Sequence, residues 1–500
     1  MNFISIHNNQ SIPIKDIPVH SYNVFKEINL ELMQDHPERH CVNYFGFKME
    51  NDMKLLCCIA DDNTHQIMIS SALIDDHSML TSFTKQHHNF EKFEREIHEN
   101  FGINYKDHPW LKPLRYSFNR ADKNQKSENY PFLKTNSEEL HEVGVGPIHA
   151  GIIEPGHFRF ICNGEQILHL EIQLGYQHRG IEQLFLQKQK LLERSTLAEN
   201  IAGDTTVGHS TAFSNLWESI CDFESVYFLD YSRTLALELE RIAIHTGDLA
   251  AICADIAYQL GAAVYGRLRT PLVNFFQCWG GNRLAKGLIR AGKINYPFSV
   301  QLAASLTDIL NAWEPDFDEI TEKLFNLPSA LSRLEKTGVV SYDEVLEIGT
   351  VGMAARMSGL NRDIRLSHPH NLYGKSFVHF PIIKDNGDIY SRAMIRKEEI
   401  KQSIEYIRKI ISRVPDFKKP ENFLLLPKEN TFTLSLVEGW RGEICHCAVT
   451  NQKGSLVVYK IKDPSLHNWM ALAQAVRNNE ISDFPICNKS FSLSYCGHDL

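Results

Sequence analysis

The sequence predicts an α+β chain. A small α+β domain over 1–118 leads through a linker over 119–136 to a mainly helical domain over 137–500 that carries peripheral antiparallel strands. Three observations predict it. Short apolar, β-prone runs (Val42–Lys48, Leu55–Ala60, Gln66–Ser71) share the first hundred residues with helical stretches. Asn119 to Phe132 is polar, charged and nearly free of aliphatic residues, so it has nothing to bury. From Ile181 to about Arg362, apolar residues recur mainly at helical spacing.

The first unit closes with "FEREIHENFGINYKDHPWLKPLRY", Phe93 to Tyr116, a charged amphipathic helix that Gly102 stops before a loop punctuated by prolines. In the second unit, Phe158–Gly175 reads as a hairpin around Asn163-Gly164, a pair that tolerates positive φ. "ALELERIAIHTGDLAAICADIAYQLG" places Leu237, Ile244, Leu249, Ile252 and Ile256 on one stripe. A helix over Lys397–Val414 and strands over Thr431–Val437, Glu443–Val449 and Ser455–Ile461 complete the chain.

Composition bounds the function. A 500-residue chain that is 43% hydrophobic and 23% charged can build more than one core. Its net charge of −9 argues against a nucleic-acid surface. The expectation is a chain without a secretory signal or membrane span: the most apolar long window, Leu249–Gly266, is interrupted by Asp255 and Gln259, whereas a span needs ~20 mostly apolar residues. Its 11 scattered cysteines read as reduced cytosolic thiols.

Five stretches carry chemistry. The small-residue break Ala202 to Gly208 ends in a helix expected from His209, with Asp204 as its one carboxylate; capping is the first role for Asp204. "GPIHAGIIEPGHFRF", Gly146 to Phe160, reads on its residues first as a solvated polar loop; the alternative is that its glycines and prolines push Glu154 into a cavity where burial would tune it for proton transfer. In "YQHRGIEQL", Arg179 and Glu182 are one helical turn apart, the spacing of an ion pair. Glu238, Arg241, His245 and Asp248 share a helix face and read as a buried polar seam. In "VEGWRGEICHCAV", Arg441 sits in a glycine-bounded turn that can aim its fork of donors, while Cys445 and Cys447 share one strand face opposite His446 and read as core thiols. No nucleotide fingerprint is present.

Taken in order, the Phe93–Tyr116 stretch resembles the signature of the small hydrophilic subunit of respiratory complex I. "GPIHAGIIEPGHFRF", "YQHRGIEQL", "ELERIAIH", "GTVGMAARMSG", "NRDIRLSHP", "EGWRGE" and "KDPSLHNWMAL" resemble its partner, the quinone-site core subunit, and the related large subunits of membrane-bound NiFe hydrogenases, with "EPGHFRF" nearest the formate hydrogenlyase branch. The resemblance implies a NiFe-hydrogenase-large-subunit-like second domain in a peripheral subunit of an ion-translocating oxidoreductase. Its implied partners are a small iron–sulfur subunit, a ferredoxin-like subunit and membrane subunits that provide the only membrane contact. It implies a cytoplasmic position on the inner face of the membrane, an iron–sulfur cluster in a partner, and a quinone or NAD-linked reaction in the whole assembly.

The diagnostic ligands depart from both branches. The hydrogenase thiolates would fall at Ala202, Thr205, Ser494 and Gly497, with Cys496 one residue out of register, so no nickel–iron centre is expected. The quinone ligands would fall at Pro155 and Gly203, while His149 is kept. The resemblance leaves Glu154 as proton relay and His209, Arg441 and Asp204 as cavity lining. The expected function is electron and proton transfer without nickel–iron; the alternative is a catalytically silent scaffold or conformational coupler.

Overall fold

A computed structural model describes residues 2–49, 52–75, 78–151, 153–417 and 425–500. The N-terminal sheet is built on β1 (Arg39–Lys48), β2 (Met53–Asp61) and β3 (Gln66–Ile74), antiparallel in that order. Ile4–Ile6 adds an antiparallel edge to β3, and Val19–His20 a parallel one. Along β2, Leu55, Cys57 and Ile59 pack in a core shared with Phe25 of α1 (Tyr22–Met33) and Phe93 of α2 (Glu91–Phe101). Leu56, Cys58 and Ala60 belong to a different core on the other face. Burial on both faces is why Leu55–Ala60 is apolar throughout instead of alternating. Gly102 ends α2 in the left-handed conformation, at φ +76°.

The hairpin forms as read, between β4 (His157–Asn163) and β5 (Gln166–Gln173), with Gly164 at φ +58° in the turn. Helices fill the middle of the chain: α3 (Thr206–Ile220), α4 (Tyr227–Asp255), α5 (Gln259–Gly280), α6 (Val300–Phe325) and α7 (Ile389–Ile411). Leu237, Ile244, Leu249 and Ile252 of α4 are buried as expected, while Ile256 sits at its C-cap and is half-buried. α7 starts before the expected Lys397 because Asp388 accepts the Ser391 amide and caps it.

The C-terminal sheet refines the expected architecture. β6 (Thr431–Glu438), β7 (Glu443–Thr450) and β8 (Leu456–Lys462) are antiparallel, with Ile12–Pro13 from the other end of the chain on the β6 edge. Every residue of β6 and β7 is buried. Their Phe432, Leu434, Leu436, Cys445 and Cys447 form one core with Val42, Phe45, Leu56 and Cys58 of the N-terminal sheet, while Ala448 joins the core of Phe213 and Leu216 on α3. These strands are therefore a central layer between the two units rather than a peripheral one.

The stretch over 119–136, expected as a linker, is tied down on both sides. Ala121 N donates to Glu99 O of α2 at 2.8 Å, Gln173 of β5 donates to Ser127 O at 2.7 Å, and Leu133 N donates to Glu171 at 2.8 Å. Tyr130 is buried. Its polar composition satisfies backbone groups at a seam instead of leaving the chain free. No described helix is long and apolar enough to cross a membrane.

Candidate functional site

Three turns converge beside the N-terminus of α3: the break over 201–205, the Gly439–Gly442 turn between β6 and β7, and the residues leading into α8 (Ser465–Ala475) and α9 (Tyr495–Asp499). The Gly439–Gly442 turn needs its glycines. Gly442 has φ +138°, and a Cβ on Gly352 would lie 2.2 Å from Gly442 Cα, so "GTVGM" and "GWRGE" meet backbone to backbone.

The helix after the break begins at Thr206, not His209, and Asp204 does not cap it. The first-turn amides of Val207 and Gly208 instead donate to Glu240 of α4, at 2.7 and 3.2 Å. A carboxylate on the positive end of a helix supplies the cap from a neighbouring element. Burial pushes the Glu240 carboxyl up to about 8, against the pull of those two amides.

Asp204 is taken by Arg441. The guanidinium reaches both carboxylate oxygens, at 2.7 and 2.5 Å, and its Nη1 also donates to Thr205 Oγ1 at 2.9 Å. Arg441 Nε donates to Ser492 O at 2.5 Å, and the Arg441 guanidinium stacks 4.0 Å over Trp440, whose Nε1 donates to Asp204 O. Burial opposes the charge on Arg441, and Asp204 more than offsets it, so its pKa rises.

His209 faces inward and is fully buried. Its Nε2 donates to Asp463 Oδ2 at 3.1 Å, and its Nδ1 meets His446 Nε2 at 3.1 Å, with Tyr459 Oη 2.8 Å from His446 Nδ1. Burial opposes ionisation of Asp463, but the His209 bond and the Arg441 charge bring it down to about 2. Burial, reinforced by His209, holds His446 far below the ordinary imidazole range and so neutral.

Glu154 reaches the C-terminal turn, where its Oε2 accepts the Cys496 amide at 3.2 Å. Burial and the Glu154 charge push the Cys496 thiol up to about 11. Ser494 caps α9 by accepting Gly497 N. His149, kept from the quinone pattern, points at Gly156 O at 2.8 Å, inside its own loop.

The expected Arg179–Glu182 pair does not form. Arg179 donates to Asn200 O, Ile201 O and Cys496 O, tying the break to the C-terminal turn, while Glu182 binds Lys460 at 2.9 Å. A loop before the helix bends Arg179 toward free carbonyls, which a helical-spacing argument cannot see. The seam on α4 forms as read: His245 meets Glu399, Asp248 meets Arg396, and Arg241 meets Glu238. Cys445 and Cys447 lie 3.6 Å apart against Asn43. Among the described residues no cluster of His, Cys, Asp or Glu is arranged to hold a metal.

The donors therefore do not fit a nickel–iron centre. Ala202 and Gly497 have no ligand atom, and a Cβ at 497 would stand 2.6 Å from Asp463 Oδ2. Thr205 and Ser494 hydroxyls are already engaged, and Cys496 is held as a thiol. At Gly203 and Pro155, where the resemblance places the quinone ligands, no side-chain donor stands. The cavity beside Gly203, Asp204 and Glu240 measures about 10 Å³, room for no more than a water. Sequence spacing does not mark Glu240, Asp463 or Arg179 as site residues, although "KDPSLHNWMAL" holds the signal for Asp463.

Residues 255–434 match the family described as respiratory-chain NADH dehydrogenase, 49 Kd subunit, and residues 23–136 the family described as its 30 Kd subunit. The chain thus joins, in one polypeptide, regions that match both of these complex I subunit families. Relatives of the fused subunit include "Hydrogenase-4 component G" of Escherichia coli, 26% identical over 78% of this chain and 67% of that protein. "Formate hydrogenlyase subunit 5" of the same organism is 25% identical over 74% of this chain and 65% of its own length. The fused C/D polypeptide of the NADH-quinone oxidoreductase of Phocaeicola vulgatus is 26% identical over 78% of this chain and 81% of its own length. The chain thus spans about two thirds of the length of the two Escherichia coli relatives.

Proposed function

We propose that this chain is the peripheral large subunit of a complex I-like or hydrogenase-related membrane oxidoreductase. It docks on the cytoplasmic face through ion-translocating membrane subunits, beside a small iron–sulfur subunit and a ferredoxin-like subunit. Both halves of the fusion, and relatives named as parts of such enzymes, support this placement.

Within the assembly, the turn over 201–205 serves as a conformational coupler without a nickel–iron centre. One observation carries this reading: the Arg441 fork closes on Asp204 and on the hydroxyl of Thr205, a position where a soft ligand would have to stand. Arg441 also holds Ser492 O, and Arg179 holds carbonyls of both turns, so a displacement of one turn is passed to the other. Two bonds in a fixed plane transmit a rotation that a single contact would lose.

Electron and proton transfer to a non-nickel acceptor is the second reading. Glu154 on the Cys496 amide and the high carboxyl of Glu240 favour it, since Glu240 keeps a proton near the break and Glu154 reaches the C-terminal turn.

Elemental analysis of the assembly purified from its native membrane tests the donor argument. Nickel well below one per chain is expected, and stoichiometric nickel overturns it. Reduction of the partner cluster followed by quinone or dye reduction separates the two readings. A coupler leaves acceptor reduction unchanged in Glu154→Gln, whereas loss of turnover in that variant establishes the transfer role.

A further inference from the structure

A second cavity lies at the seam between the N-terminal unit and the large domain. It measures about 210 Å³ and is walled by α2 and the loop after it, by β5, by α8 and by His498 of α9. Its floor is apolar, from Leu114, Leu170, Ile172, Trp469, Met470 and Ala473. Trp110 forms one wall, with its ring 6.1 Å from that of His169. A cavity of about 150 Å³ lined by apolar groups admits a benzene ring, so this one admits a single ring with a substituent.

Its polar groups are under-used. His88 Nε2 and His169 Nε2 are buried and make no hydrogen bond. The cationic side is in excess: Lys92, Arg95 and Arg477 face Glu91 and Glu171, and Glu171 is already held by Lys112 at 2.6 Å. Glu91 is shared by Arg95 at 2.6 Å and Lys92 at 3.3 Å. Arg477 has no side-chain partner among the described residues, and its charge acts on His169.

We propose that this cavity is a binding site for a small aromatic carboxylate. The ring packs between Trp110 and the apolar floor, the carboxylate meets Arg477 at the mouth, and His169 Nε2 hydrogen-bonds the same end. An exposed guanidinium with no side-chain partner, at the mouth of a pocket of one-ring size, favours a monoanion over a neutral ring, because only the anion adds a charge-assisted pair to the ring's packing. The site also touches the machinery of the three turns. Trp469 donates to Ser494 O at 3.4 Å and packs edge-on against Tyr495 at 4.8 Å, so an occupant braces the turn that holds Cys496.

Calorimetric titration of the full chain with phenylacetate and with its neutral amide, phenylacetamide, tests this. Phenylacetate is expected to bind, with the amide about tenfold weaker or worse. Arg477→Ala, at an exposed position, is expected to lose about the same tenfold for phenylacetate and nothing for the amide. Ala473→Phe fills the floor and is expected to abolish binding of both, with its melting curve recorded to show that it folds. No binding of phenylacetate at millimolar concentration overturns the proposal. Equal affinity for acid and amide, or an Arg477→Ala variant that binds as well as wild type, overturns it too.

Discussion

Arg441 holds Asp204 by two hydrogen bonds, at 2.7 and 2.5 Å, with the guanidinium buried and the carboxylate side chain 41% exposed. Asp204→Ala leaves a buried cation without its partner. The cost of breaking such a pair is about 3–5 kcal/mol when both partners are dry, and water at Asp204 reduces it to about 1–2 kcal/mol. Urea denaturation of Asp204→Ala and Asp204→Asn reads this, and midpoints equal to wild type for both count against a structural role for the pair.

Gly497→Ala is expected to cost about 1–3 kcal/mol, because its Cβ would press 2.6 Å from Asp463 Oδ2 and displace the His209 bond. Restoring a cysteine there carries the same clash, so Gly497→Cys destabilises rather than rebuilding a ligand. Thermal melting checks both; a melt unchanged in either variant means that Asp463 moves freely.

Two carboxyls give the chain a pH profile with opposite signs. Asp463 is depressed to about 2 from an ordinary 3.8, so its contribution is full above that value and lost as pH falls toward 2. Glu240 is raised to about 8 from 4.5, so folding is favoured below 4.5 and weakens as pH rises to about 8. Glu240→Gln keeps an acceptor for one helix amide and removes this slope. Unfolding free energy measured from pH 5 to 8 is expected to fall with pH in wild type and to be flatter in the variant; parallel curves would refute the assignment.

The N-terminal unit and the large domain share a core, which makes the second unit dependent on the first. Residues 137–500 expressed alone would expose Phe432, Leu434 and Leu436 to water. Aggregation is expected, with solubility restored by co-expression of 1–136. A soluble, monomeric 137–500 with a cooperative melt would show that the shared core is dispensable.

Much of the fold is legible in local pattern. The strand runs near Val42, Leu55 and Gln66, the Asn163-Gly164 hairpin, the α4 stripe and the three C-terminal strands all follow from period, turn chemistry and length. The α4 seam is legible because its four residues lie on one helix face. Arg179 and Asp204 escape local pattern for a common reason: each has a plausible partner nearby in sequence, and each takes a partner brought in by another turn.

By itself, the sequence determined the α+β class and the order of the elements, because residue identity and periodicity are local properties. Only the tertiary structure decided that Asp204 answers Arg441, that Glu240 caps α3, that His209 belongs to Asp463, and that the C-terminal strands lie between the two units. Those outcomes depend on which groups burial leaves unpaired. An unpaired buried charge or amide is costly enough to select its partner across hundreds of residues, and local pattern carries no record of that choice.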